Sequence, residues 1–104
     1  MEVRFIYITC KDRAEATLLG RQLVEARLAA CANILDGMAS LYWWEGKVVE
    51  DQETVLILKS RAELLDVLTA KVRELHSYDL PCVIALPITE GNQAYLQWIQ
   101  KETT

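Results

Sequence analysis

Two stretches of this chain, Val3 to Thr9 and Glu53 to Lys59, are apolar on both faces when read as strands. Val3, Phe5 and Tyr7 alternate with Ile6 and Ile8, and Val55 and Ile57 alternate with Leu56 and Leu58. Successive strand side chains point to opposite sides of a sheet, so each stretch needs apolar cover above and below. An antiparallel sheet carrying helices on one face ordinarily leaves its other face polar and wet. A helix-free face this apolar must instead lie against another chain, and the pattern predicts an oligomer.

The rest of the chain supplies the helices. Asp12 and Glu15 have the spacing of an N-cap and capping box. Ala16, Leu19, Leu23 and Ala26 follow at helical intervals, predicting a helix from about Arg13 to Leu28, with Gly20 allowing a close approach to a neighbour. A second strand is expected from Cys31 to Trp44, bent at Asp36-Gly37. Glu45-Gly46-Lys47 forms a turn, and the strand through Glu53 to Lys59 returns. Leu64, Leu65, Leu68, Val72 and Leu75 form one stripe of a helix spanning Ala62 to His76. Val83 to Leu86 is the fourth strand, stopped by Pro87, and Asn92 caps a short final helix through Ile99. No linker, repeat or low-complexity tract divides residues 1–104, which read as one domain. The order strand, helix, strand, strand, helix, strand is the ferredoxin-like βαββαβ pattern of an α+β sandwich, here with a long β-hairpin and a short C-terminal helix.

Tyr42, Trp43 and Trp44 stand together beside the hairpin turn. Trp43 and Trp44 must face opposite ways, so both sides of the hairpin end need apolar cover. Aromatic residues there serve a protein interface or stack on a ring ligand.

Composition narrows the function. The net charge is −4, and the basic residues are scattered among acids. No basic stripe exists for nucleic acid. No apolar run reaches the ~20 residues of a membrane span, and Met1-Glu2-Val3-Arg4 reads as the start of a strand rather than a signal peptide. Three cysteines without CxxC spacing argue against a disulfide framework or zinc knuckle, and the expected location is a reducing cytoplasm.

His76 is the sole histidine, at the expected end of the second helix. It suits the negative end of the helix dipole, and it also suits a metal. In this topology the fourth strand lies antiparallel beside the first. Cys10 at the exit of strand one, His76, and with them Cys82 at the start of strand four, could converge. A thiolate with an imidazole suits copper or zinc. Cys31 opens strand two at the opposite end of the sheet and reads as a small buried residue. Asp79 and Glu90 are loop carboxylates that could add oxygen ligands. GxSxG, Walker and GxGxxG signatures are all missing. A Cys–His nucleophile would have only His76 as base, with Asp79 to orient it, so no enzyme is expected.

Ala29-Ala30-Cys31-Ala32-Asn33-Ile34, the SLYWWEGK run at 40–47, Glu53 to Ser60, LHSYDLP at 75–81 and Tyr95-Leu96-Gln97-Trp98-Ile99 together resemble the CutA family of divalent-cation tolerance proteins, in order and across nearly the whole chain. The resemblance implies a ferredoxin-like subunit in a tight cytoplasmic homotrimer that binds or responds to copper and other divalent metals. It matches Cys10 and His76 to metal-ligand positions, although Leu75 replaces a histidine seen in some relatives and Ser77 a common proline. The family's likeness to PII signalling proteins offers an alternative, a small-molecule or partner site in the cleft between subunits lined by Tyr42, Trp43, Lys59 and Tyr78.

Overall fold

The computed structural model describes residues 2–104. The elements are β1 (Val3–Cys10), α1 (Arg13–Glu25), β2 (Cys31–Trp44), β3 (Lys47–Arg61), a 3-10 turn (Ala62–Leu64) leading into α2 (Leu65–Leu75), β4 (Val83–Pro87) and α3 (Gln93–Glu102). The four strands form one antiparallel sheet in the order β2-β3-β1-β4. This is the expected ferredoxin-like α+β architecture, with β4 beside β1.

The core lies between the sheet and the two long helices. Ile6, Ile8 and Cys10 from β1 and Leu56 and Leu58 from β3 meet Ala16, Leu19 and Leu23 of α1 and Leu68 and Val72 of α2, all fully buried. Gly20 sets the distance between α1 and the sheet. A Cβ there would stand 3.0 Å from the Ala32 Cβ and 3.2 Å from Leu56 Cδ1. Gly20→Ala is therefore expected to destabilise the fold by about 1 kcal/mol in denaturant titration, because overpacking outweighs the gain in helix propensity.

Helix α1 stops three residues before the expected Leu28. Arg27 takes a left-handed conformation at φ 63°. Its N–H donates to the Val24 carbonyl and the Leu28 N–H to the Leu23 carbonyl, both at 3.0 Å. This is a Schellman closure with arginine in the position glycine usually holds. Strand β4 in turn runs through Pro87, which pairs with Arg4. Proline is tolerated there because β4 is an edge strand.

The hairpin is longer than the sheet that carries it. Strand β1 pairs with β3 only from Thr54 to Arg61, so Met38–Trp44 and Lys47–Glu53 pair solely with each other. This free ribbon contributes to a molecule 44 Å long and about half as wide. Its direction is set at Asp36-Gly37, where two residues oppose the single Thr54 and Gly37 has φ 77°. The expected bend is thus a β-bulge. Asp36 anchors it by accepting from Arg13 at 2.8 Å and from the Thr54 hydroxyl at 3.1 Å.

The bulge also changes which residues share a face. Before it, Ala32 and Ile34 face the helices with Leu58 and Leu56; after it, Met38 pairs with Glu53 on the opposite face, followed by Ser40, Tyr42 and Trp44. Leu41 and Trp43 take the other side of the ribbon with Val48, Trp43's partner. These three are 70%, 74% and 58% exposed. The face expected to carry no helix is covered at its other end by α3, which packs against β1 and β3 with its Ile99 fully buried, so the chain itself supplies part of the cover expected from a partner. Arg61 fixes the end of α3 through the Thr103 hydroxyl and carbonyl.

Candidate functional site

Cys10 leaves β1, Glu15 sits in the first turn of α1, and His76 caps α2. The Cys10 thiol, a Glu15 carboxylate oxygen and a ring nitrogen of His76 all lie within 4.8 Å of one another, and all three residues are buried. The sequence placed Cys10 beside His76, and the topology brings them together. Glu15 is the member it missed, because its capping-box role explained it already. The signal was its position: the third residue of a helix that begins directly beyond Cys10 carries its carboxylate back over the strand exit.

The hydrogen bonds around this cluster are specific. Asp12 caps α1 by accepting from the Glu15 N–H at 2.8 Å. One Glu15 oxygen accepts from the Lys11 N–H at 3.0 Å and the other from the Ser77 N–H at 2.9 Å. The carboxylate therefore ties the β1 exit to the loop after α2. Burial alone would raise its pKa, but the N–H of Lys11, the Ser77 donors and the nearby His76 outweigh that and hold it below the usual value. His76 is committed at both ring nitrogens. Nδ1 accepts from the Tyr78 N–H at 3.0 Å, which leaves Nε2 to donate to the Thr9 carbonyl at 2.8 Å. Cys10 is pushed up to about 12, by burial first and then by Glu15, Glu53 and Asp12. A thiol, a carboxylate and an imidazole are a donor set that suits zinc or copper. In the resting arrangement the thiol keeps its proton and the imidazole has no free lone pair, so a metal must displace one ring contact and one proton.

The remaining residues fall elsewhere. Cys82 is half-buried on the helix-free side of the sheet and does not join the cluster. Burial raises its pKa, opposed by a contact with Thr9. Cys31 lies 3.7 Å from the Tyr95 hydroxyl, away from His76 as its place in the topology required. Glu90 and Asp79 are exposed, as solvated loop carboxylates.

A cavity of about 670 Å³ opens between the ribbon and the loop after α2, and Tyr42, Trp43 and Tyr78 line it with Tyr7, Glu53 and Cys82. Within one subunit this brings together three of the four residues expected to line a cleft between subunits. Lys59 is outside the cavity: it is the third residue from the end of β3, paired with Cys31, and its ammonium meets Asn33 Oδ1 at 2.5 Å. The Tyr78 hydroxyl donates to Glu53 Oε2 at 2.9 Å, and the Tyr7 hydroxyl meets Met38 Sδ at 3.3 Å. Tyr78 is pushed above the ordinary tyrosine range by burial and by Glu53. No helix among the described residues is long and apolar enough to cross a membrane.

The sequence pattern of the family described as CutA1 divalent ion tolerance protein matches residues 4–102. A chloroplastic CutA 1 of Oryza sativa is 47% identical over 98 residues, which are 94% of this chain and 55% of that protein. The chain thus spans about half the length of this plant relative. The divalent-cation tolerance protein CutA of Thermus thermophilus is 44% identical over 98 residues, covering 94% of this chain and 95% of the relative. The crystal structure of CutA1 from Oryza sativa superposes with a TM-score of 0.96 at 44% identity, covering all of this chain and 95% of that one. The Thermus structure gives 0.95 at 42% identity, covering 98% and 99%. The chain belongs to the CutA1 family of divalent ion tolerance proteins.

Proposed function

We propose that this chain acts in the tolerance of divalent cations as a cytoplasmic homotrimer that binds copper or a similar metal ion and catalyses no reaction. The observation that carries the metal reading is the buried Cys10–Glu15–His76 cluster, whose donor atoms lie within 4.8 Å of one another. Cys10 and His76 would hold the ion, with Glu15 supplying an oxygen. Binding must release the Cys10 proton and break a His76 hydrogen bond, so affinity is modest and rises with pH. Relatives are named chloroplastic in rice and periplasmic in Archaeoglobus fulgidus, so fractionation of the source cell is the check on location.

Titrating Cu(I), Cu(II) and Zn(II) into the wild type, Cys10→Ser and His76→Ala at two pH values tests the site. The expected result is one ion per chain in the wild type, tighter at the higher pH, with at least a ten-fold loss in each variant. Equal weak binding in all three would remove Cys10 and His76 as ligands.

The cavity favours a second reading, a signalling trimer that takes a small molecule beside Tyr42, Trp43 and Tyr78. Its volume and its mixture of aromatic walls with a few polar groups are those of a ligand site.

A further inference from the structure

We infer that the cavity between the ribbon and the loop after α2 is a site for a small organic cation, an alkylammonium held by Glu53 against aromatic walls. This deepens the small-molecule reading of the same cavity and is independent of whether Cys10 and His76 take a metal. Glu53 is only 8% exposed, yet it enters no ion pair among the described residues. Its Oε2 accepts from Tyr78, while its Oε1 has no hydrogen bond among them and is open to the cavity rather than sealed from solvent. A carboxylate on a residue this enclosed is ordinarily matched by a cation. None of the residues lining the cavity is Lys, Arg or His, while Glu53 and Asp79 both contribute to it. The cavity is therefore negative, and the cation that completes it must come from outside this chain.

The walls specify which kind of cation. Tyr7, Tyr42, Trp44 and Tyr78 line the same space. The bulge at Asp36-Gly37 brings Tyr42 and Trp44 to the face of Glu53, since Met38 pairs directly with it. Aromatic faces attract alkylated ammonium groups and add apolar contact with their methyl or methylene groups, whereas a small hydrated metal ion gains little from them. Tyr42 is pushed above its ordinary pKa by burial and then by Asp51 and Glu53, so the ring stays neutral beside these carboxylates. A cavity of about 670 Å³ admits a ligand well beyond the size of a bare ion.

The test uses the intact oligomer in chelator-treated buffer at fixed ionic strength, titrated with tetramethylammonium, n-butylammonium and the neutral n-butanol, and read by calorimetry and tryptophan fluorescence. The ammonium ions are expected to bind at least ten-fold more tightly than n-butanol. Glu53→Gln should abolish that preference, and Tyr42→Leu, which keeps the wall apolar, should weaken ammonium binding several-fold. If Glu53→Gln does not fold, the Tyr42→Leu result and the ammonium-to-alcohol ratio decide. Equal binding of n-butanol, or no binding of either ammonium because a second copy's basic side chain fills the space, overturns the inference. A neutral or anionic ligand found there instead overturns it too, and leaves the small-molecule reading intact.

Discussion

Glu15→Ala is expected to cost about 3 kcal/mol, a large share of the stability of a domain this size. The carboxylate is the acceptor for two backbone N–H groups, those of Lys11 and Ser77, and one of its oxygens lies 3.9 Å from His76 Nε2. Removing it takes the acceptor from two backbone donors on exposed residues, at about 1 kcal/mol each, and deprives the start of α1 of a favourable charge worth up to about 1 kcal/mol. Glu15→Gln keeps the shape but offers only one acceptor oxygen, so it should lose about half as much. Acid separates the two variants further. The folded-state pKa of Glu15 lies below its unfolded value. Its contribution is therefore complete above the unfolded carboxylate range and disappears as the pH falls through the lowered folded value. Wild-type stability should drop more steeply than that of Glu15→Gln below about pH 4. Cys10 acts at the other end of the scale. Its raised pKa favours the protonated thiol, a contribution present below the unfolded thiol pKa and lost as the pH climbs towards 12. Chemical denaturation at fixed chain concentration measures all of these. A Glu15→Ala protein as stable as wild type would show that the Lys11 and Ser77 amides find other partners.

The fold was largely legible because its signals are local and periodic: two-sided strands, helical stripes, the Asp12 and Asn92 caps, and the Asp36-Gly37 bend. What escaped was set by contacts between elements. Nothing in the composition around Arg27 announces a left-handed residue. The closure forms there because it returns Leu28 to the edge of the core and lets Arg27 reach Glu102 at 2.7 Å. The site was legible to the extent that topology dictates it. Antiparallel pairing of β1 with β4 brings Cys10 near His76, but Glu15 enters only because the first turn of α1 folds back over the strand exit. Lys59 stands apart from the cavity for a related reason. It shares β3 with Glu53, yet lies six positions further along the strand, about 20 Å, and only Glu53 reaches the ribbon. The bulge decides the remainder, since one extra residue puts Tyr42 and Trp44 on the face of Glu53 and Trp43 on the other side of the ribbon, although all three border the cavity.

That division makes the two tryptophans unequal, and their substitution should show it. Light scattering of the wild type is expected to give three times the 11.9 kDa chain mass. A two-stranded ribbon is marginal in water by itself, and this one presents Leu41, Trp43 and Val48 on a single exposed face. Trp43 is 74% exposed in the isolated chain. Covering on the order of 150 Å² of it at about 25 cal/mol per Å² contributes about 4 kcal/mol per subunit, within the range of an interface hot spot. With one such contact per subunit, Trp43→Ala should convert the oligomer to a concentration-dependent mixture with monomer at micromolar protein. Trp44 is 41% exposed and sits on the face of Glu53, so Trp44→Ala should leave the assembly largely intact and perturb the cavity instead. Gel filtration with light scattering across a dilution series distinguishes the cases. A wild-type chain that runs as a monodisperse monomer would refute the need for cover on the ribbon. A trimer that survives both substitutions at nanomolar concentration would move the interface away from the ribbon, to the open sheet face of Ile84 and Leu86, each about half exposed.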